Sequence, residues 1–301
     1  MQKILITGAT GLVGQEIVKH CHEQNIAVNY LSTSKSKLEN KPNYKGFYWN
    51  PSFGEIDVNC FKNVDVIINL AGASIAQRWT KSYKEEILKS RVEALQLLYK
   101  TIETENISIK HLVSASAIGI YPDSLTHYYE EDFNDFDDGF LSHVVSSWEH
   151  EANQFKSLNI KVSKIRIGIV LSEKGGALPQ LVKPIRWFVG SALGCGNQWQ
   201  SWIHIEDLAA IFMYVIKHTF EGVFNAVAPN AVPQKDMVKN IGRVVKRPIL
   251  LPAVPSFILK LVLGEMSALV LESQRVSCNK IENLGFSFKY YYLQPALEDL
   301  L

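Results

Sequence analysis

Cysteine is scarce in this sequence: four in 301 residues, at Cys21, Cys60, Cys195 and Cys278, with no C-x-x-C pair. That excludes a disulfide-stapled small fold, argues against a zinc or redox motif, and fits free thiols in a reducing compartment. Excess charge of one sign is also missing. Lys+Arg 31 against Asp+Glu 30 leaves +1, so no electrostatic footprint for nucleic acid is present. With 20% charged and 47% hydrophobic residues, the composition is that of an ordinary globular chain. A spanning segment is lacking as well: Val254 to Leu271, the most apolar late stretch, is interrupted by Lys260 and Glu265, short of the roughly 20 apolar residues a membrane helix needs. No basic run followed by an apolar stretch opens the sequence, as an export signal would. The expectation is a cytoplasmic protein with a small-molecule substrate and neither a nucleic-acid nor a membrane partner.

What is present is alternation. KILIT, AVNYL, VDVIINLAG, KHLVSAS and VSKIRIGIVL are short apolar runs, separated by helix-like stretches at GLVGQEIVKHCHEQ, Ser82 to Glu105 and Gly139 to Ser157. Such spacing reads as βαβ units on a parallel sheet. The predicted fold is α/β, a Rossmann-type doubly wound parallel sheet over residues 1–170 with a smaller C-terminal substrate lobe over 171–301. In that lobe EKGGALPQ reads as a loop and LVKPIRWFVG as a short helix with an internal proline. WIHIEDLAAIFMYVIKH reads as a strand feeding a helix, and residues 202–226 are expected to pack back on the first domain. PSFILKLVLGEMSALVLES reads as a helix whose apolar face needs a partner. Core packing is the usual fate of such a face, and a homodimer is the self-association it would permit.

The most informative segment is ITGATGLVGQEI. Gly8, Gly11 and Gly14 stand between an apolar strand and an amphipathic helix. The first suits a tight turn, the second a close approach to a pyrophosphate, and the third close packing of helix on sheet. Free N–H groups at Leu12 and Val13, with the helix dipole, favour phosphate, and Thr7 and Thr10 offer hydroxyls. An NAD site places Asp or Glu about 20 residues on, at the end of the second strand. Here that end reads Leu31, Ser32, Thr33, Ser34, Lys35, Ser36, Lys37, with no carboxylate before Glu39. Hydroxyls and lysines suit a 2′-phosphate, which favours NADP over NAD. The strand end at Leu70, Ala71 and Gly72, with Arg78 beyond it, lies where ligands of doubly wound sheets bind.

With TGATGLVG, NLAGA, SASAIGIY and WIHIEDLA, the chain resembles extended short-chain dehydrogenases/reductases. It is more closely similar to the atypical epimerase-family group, which adds a C-terminal domain of unknown function. The signals for that group are RWT at Arg78 to Thr80, KSR at Lys89 to Arg91, Phe140, Leu141, Trp148, Glu149 and Ala152, then GGAL, SWIH and a tail from Leu251 to Phe288. The resemblance implies a Tyr four residues before a Lys as proton donor, with Ser116 holding the substrate oxygen. Leu141 and Val145 stand where it places Tyr and Lys, and none of the 12 tyrosines has a lysine four residues later.

Leu and Val transfer no protons. Tyr121 is the best substitute, followed by His143, Glu131 and His204, each in a segment expected near the carboxyl ends of the strands. Gln198, Trp199, Trp202 and His204 suit a mostly apolar substrate pocket with a few polar anchors. Trp202 equally suits a core, and His204 and Asp207 the start of the following helix. Three functions stay open: an NADP-dependent oxidoreductase or epimerase acting on a small molecule, a non-catalytic NADP-binding sensor or scaffold, and a binding module that associates through its apolar C-terminal helix with any nucleotide purely structural.

Overall fold

The computed structural model describes residues 3–301; Met1 and Gln2, at the head of the opening strand segment, lie outside it. The first elements follow the sequence pattern closely. Strand β1 (Lys3–Thr7) feeds helix α1 (Leu12–Glu23), and β2 (Ala27–Ser32) follows, buried along its whole length. After β3 (Tyr44–Asn50) come β4 (Val66–Asn69), the long helix α2 (Lys81–Thr104), β5 (His111–Ala117), α3 (Phe140–Gln154) and β6 (Lys161–Ile167). The sequence pattern did not reveal β3, whose Lys45, Gly46 and Asn50 break up its apolar alternation.

Beyond β6 the continuous strand expected over VSKIRIGIVL is broken at Gly168, where a Cβ would collide with the carbonyl of Ser201. A short strand β7 (Ile169–Leu171) resumes and pairs with β8 (Trp202–His204). Helix α4 (Ala177–Arg186) begins inside the stretch expected to be loop, its N-cap Gly176 turning the chain at φ 75. Helix α5 (Ile205–His218) then returns to pack against α1, and β9 (Gly222–Ala226) joins the sheet beside β6.

The main sheet runs β9-β6-β5-β4-β1-β2-β3. Every pairing along that path is parallel; only the two-residue strands Asn40–Lys41 and Glu55–Ile56 add antiparallel edges to β3. The order 3-2-1-4-5-6 makes the gap between β1 and β4 the switch point, where neighbouring crossovers leave toward opposite faces and a crevice opens. One core forms around the sheet and its helices. A second unites Leu178, Val182, Trp202, Met237, Ile241 and Leu297, drawn from α4, β8, α6 (Gln234–Val244) and the final helix Leu293–Leu300. The long C-terminal helix expected from periodicity is instead α7 (Ser256–Leu263), stopped at Gly264 with φ 60, followed by separate short turns.

Candidate functional site

At the switch point Gly8 turns the chain at φ 73, and a Cβ there would come 3.0 Å from the carbonyl oxygen of Leu70. A Cβ on Gly14 would collide with the Gly8 carbonyl and lie 2.7 Å from Ala9 Cα, so only glycine lets α1 sit this close to the turn. Gly11 is exposed and is the N-cap of α1, which has no side-chain cap and no acidic residue in its first turn. The first-turn N–H groups, those of Leu12 and Val13 among them, therefore face outward at the positive end of the dipole. The second glycine pair, Gly175 and Gly176, packs on the Leu12 side chain, bringing the N-terminus of α4 to the same crevice.

The Thr7 hydroxyl, expected to be a cofactor donor, is used internally. It donates to Asn69 Oδ1 at 2.8 Å and accepts the N–H groups of Leu70 and Ala71 at 3.0 and 3.1 Å, while Asn69 Nδ2 donates to Ser114. This buried chain pins the end of β4 against the glycine turn. Thr10 stays half-exposed in the loop, its carbonyl held by Gln15.

Below Gly72 lies Arg91 of α2, which spacing alone gave no reason to place here. Its Nη1 donates to the carbonyls of Ala73 and Ile87 at 3.2 and 2.9 Å, and its guanidinium stacks on Trp148 at 5.1 Å. It forms no ion pair among the described residues, and burial pulls its pKa down to about 10, which leaves it charged at neutral pH. Trp148 is one turn beyond Val145 on α3, so the guanidinium reaches the same helix as the position the resemblance assigns to lysine. Trp148 Nε1 itself is buried without a hydrogen-bond partner. Arg78, by contrast, is exposed and without an ion pair among the described residues.

At the end of β2, Ser32 Oγ bonds the N–H and carbonyl of Ser34, and the Lys35–Lys37 turn carries two cations and no carboxylate. Lys35 is held over the Tyr48 ring at 4.9 Å, and Thr33, two residues before it, is exposed. Glu39, the first carboxylate, pairs with Lys41 instead.

The catalytic candidates are placed quite differently from what the resemblance implies. Ser116 is buried and donates to Glu149 at 2.6 Å; Arg166 Nε donates to the same carboxylate at 2.8 Å. Burial pushes the Glu149 carboxyl up, but the Arg166, Lys164 and Ser116 contacts outweigh it and hold the pKa below its ordinary value. Tyr121 belongs to the same network: its hydroxyl accepts from Arg166 Nη1 at 2.9 Å and donates to Asn225 at 2.8 Å, and burial raises its pKa. Both hydroxyls thus cross-link β5, α3, β6 and β9. In the place of the dyad, Leu141 lies against the Gly119 turn, and Val145 is core. Leu141 shares an apolar cluster with Trp79, Val144, Met266 and Leu269, and with Tyr83, whose hydroxyl donates to the Ser74 carbonyl. His143 is on the exposed side of α3, and Glu131 accepts the N–H of Asn225.

The proposed pocket residues separate too. Trp202 is fully buried in the second core with its indole N–H on the Asn230 carbonyl. His204 is the N-cap of α5, its Nδ1 accepting from Glu206, while Asp207 holds the N–H groups of Lys289 and Tyr290. Gln198 ties Leu193 to Val270 through its amide, and Trp199 bonds Leu125 and carries Arg275 over its ring at 4.5 Å. In this arrangement the polar tips of Gln198, Trp199 and Trp202 are engaged by backbone carbonyls, whereas His204 Nε2 is buried without a hydrogen-bond partner, 3.4 Å from Asp299 Oδ2.

Two family models match the chain: the NAD dependent epimerase/dehydratase family over residues 4–153, and a domain of unknown function (DUF1731) over residues 254–300. A Staphylococcus aureus (strain MRSA252) protein named epimerase family protein SAR0825 is 39% identical over 302 residues, covering 100% of this chain and 99% of that protein. The chain belongs to the NAD-dependent epimerase/dehydratase family. Among solved structures, the human epimerase family protein SDR39U1 (isoform 2) with NADPH is similar at a TM-score of 0.85 and 28% identity, with 99% of each chain covered. A nucleoside-diphosphate sugar epimerase from Corynebacterium glutamicum follows at 0.79 and 29%, covering 99% of this chain and 58% of that one.

As an epimerase-family protein the chain is NAD(P)-binding, with its substrate unassigned. The glycine turn that no Cβ would fit, the uncapped α1 and the cation beneath Gly72 form a cradle that suits a dinucleotide. No helix among the described residues is long and apolar enough to cross a membrane.

Proposed function

We propose that this epimerase-family protein binds NADP(H) and acts as a non-catalytic nucleotide-responsive protein rather than as a Tyr/Lys-type epimerase. The observation that carries the reading is the commitment of both Ser116 and Tyr121 to the Glu149–Arg166 network, with Leu141 in the proton donor's place. A general acid must reach its substrate within hydrogen-bond distance; Leu141 itself has no proton to give, and Tyr83, the hydroxyl in its cluster, donates to the Ser74 carbonyl.

The preference for NADP is supported by the β2 end. Ser32, Lys35 and Lys37 present hydroxyl and ammonium donors and no carboxylate to repel a 2′-phosphate. The relative SDR39U1 carries NADPH. Gly8, Gly11 and Gly14 with the N–H groups of Leu12 and Val13 hold the pyrophosphate in this reading. Leu70, Ala71 and Gly72 form the opposite wall, and Arg91 takes over the cationic role at the nicotinamide end.

Arg91 also favours a second reading, reduction of a small carbonyl compound. When bound, NADPH supplies a hydride, and a fixed guanidinium stabilises the negative charge that develops on the acceptor oxygen; the proton then comes from water.

Calorimetric titration of cofactor-stripped protein with NADPH, NADP, NADH and NAD tests the first reading. Tight NADP(H) binding, abolished by Gly11→Asp and weakened by Ser32→Asp, is expected. Absence of binding to all four dinucleotides overturns it. Steady NADPH oxidation with a panel of carbonyl compounds, lost in Arg91→Met, replaces it with the second.

A further inference from the structure

Neither residues 181–200 nor residues 237–264 contain an Asp or Glu, yet besides Lys183 they carry Arg186, Lys239, Arg243, Lys246, Arg247 and Lys260. In a chain whose net charge is +1, that is a marked concentration of positive charge in one lobe. Among the described residues, only Lys239 of these six forms an ion pair, a loose one with Asp236 at 3.9 Å. Four of them, Lys239, Arg243, Lys246 and Arg247, line an open cavity of about 380 Å³ at the C-terminal end of α6, together with Gly242, Pro248 and Ile249.

The fold sets an apolar surface beside this cavity. Arg247 lies over the Phe188 ring at 5.0 Å, and the backbone of Ala192 and Gly194 bonds that of Val254, so residues 187–194 run alongside 247–258. From these segments and α7, Trp187, Leu250, Phe257 and Leu261 project with 73%, 73%, 69% and 80% of their surface exposed. Helix α7 buries only Leu259. Phe188, just past the end of α4, holds φ 61, a left-handed conformation that a bulky residue rarely adopts and for which glycine is the default.

We propose that this face docks on an anionic lipid surface, with the aromatic and aliphatic side chains entering the interface and the cations meeting phosphate headgroups. The side chains project instead of lining a groove, which suits a fluid apolar layer better than a shaped protein partner. A second copy of the chain fits poorly, because a two-fold pairing through this face would set two cation clusters, each with Asp236 as its one paired carboxylate among the described residues, against each other. Helix α7 is eight residues long, so the contact is peripheral, and no helix among the described residues is long and apolar enough to span a membrane.

Co-sedimentation of the full chain with vesicles tests this, using phosphatidylcholine alone and equal parts phosphatidylcholine and phosphatidylglycerol. Binding to the mixed vesicles alone, weakening as salt rises, is expected. Arg243→Glu with Arg247→Glu, and separately Phe257→Ser with Leu261→Ser, should each lower the affinity by about tenfold or more. All four side chains sit at the surface, and unchanged thermal unfolding confirms that each variant is folded. Failure to bind the mixed vesicles, equal binding to neutral ones, or indifference to both variant pairs overturns the proposal. So does sedimentation velocity showing a dimer that the Phe257→Ser, Leu261→Ser variant dissociates, which gives the face to a second copy. Equally strong binding of soluble glycerol phosphate by calorimetry would assign the cavity to a free anion and overturn it as well.

Discussion

The Ser116 hydroxyl donates to the Glu149 carboxylate at 2.6 Å inside the core. Glu149 lies two helical turns along α3 from Leu141, so the serine's proton is committed roughly 12 Å of helix rise from that residue. The carboxylate also takes both Nε and Nη2 of Arg166, at 2.8 and 3.1 Å. A bidentate buried pair of this kind joins strand to helix, and its loss is felt in stability.

Ser116→Ala should therefore cost about 1.5–3 kcal/mol of folding stability and leave NADP(H) affinity unchanged. Glu149→Ala, which strands the Arg166 charge, should cost about 3–5 kcal/mol. Urea unfolding paired with calorimetry checks both; a tenfold loss of nucleotide affinity in Ser116→Ala at unchanged stability would return the serine to the active site.

Gly14→Ala places a methyl against the Gly8 carbonyl and Ala9 Cα. Overpacking at this contact is expected to cost about 1–3 kcal/mol and to distort the turn enough to weaken nucleotide binding. Gly264→Ala, where no atom lies within 4 Å of the new methyl, pays only for its positive φ and should bind nucleotide normally. Thermal unfolding and titration of the two variants separate crowding from backbone strain.

Arg91→Met removes a half-buried cation that has no ion-pair partner among the described residues. Apolar replacement of a buried charge is often neutral or stabilising, so unfolding stability should change by less than about 1 kcal/mol while NADP(H) affinity falls about tenfold. A purely structural arginine would give the reverse, lower stability at unchanged affinity.

His111 supplies a pH dependence. Its Nε2 bonds Ser163 Oγ, whose own proton goes to the Phe220 carbonyl, so Nε2 carries the hydrogen and Nδ1 is left unpartnered. Burial, helped by Lys161, lowers the imidazole pKa from 6.5 to about 4. The folded state thus holds the neutral ring, its contribution is full above pH 6.5, and it is lost as the pH falls toward 4. Glu149 acts in the same sense at lower pH, since its depressed pKa gives stability that disappears as it protonates. Urea midpoints from pH 7 downward should fall first below about 6.5, and His111→Gln should flatten that first step.

Much of the molecule was legible before any coordinates. Apolar runs of strand length, separated by helical periods, gave β1, β2, β4 and β5 near their observed bounds and β6 at its start but not its end, because periodicity and the turn glycines act within a few residues of themselves. The missing dyad was equally plain, since Leu141 and Val145 are what they are in any fold. Less legible was β3, whose exposed lysine and glycine interrupt the alternation that marks a strand.

Only the tertiary structure decided what the polar side chains do. Ser116 and Glu149 are 33 residues apart, Tyr121 and Asn225 are 104 apart, and which face of β5 meets which turn of α3 depends on packing that no local pattern encodes. The same holds for Arg91 beneath Gly72 and for the apolar side chains of α7. Periodicity alone assigns such a helix to a core, and the arrangement of its neighbours left Phe257 and Leu261 outside. Short-range sterics and hydrogen bonding wrote the elements and the glycine turn into the sequence; the partners of its buried charges were set by contacts between segments far apart in the chain.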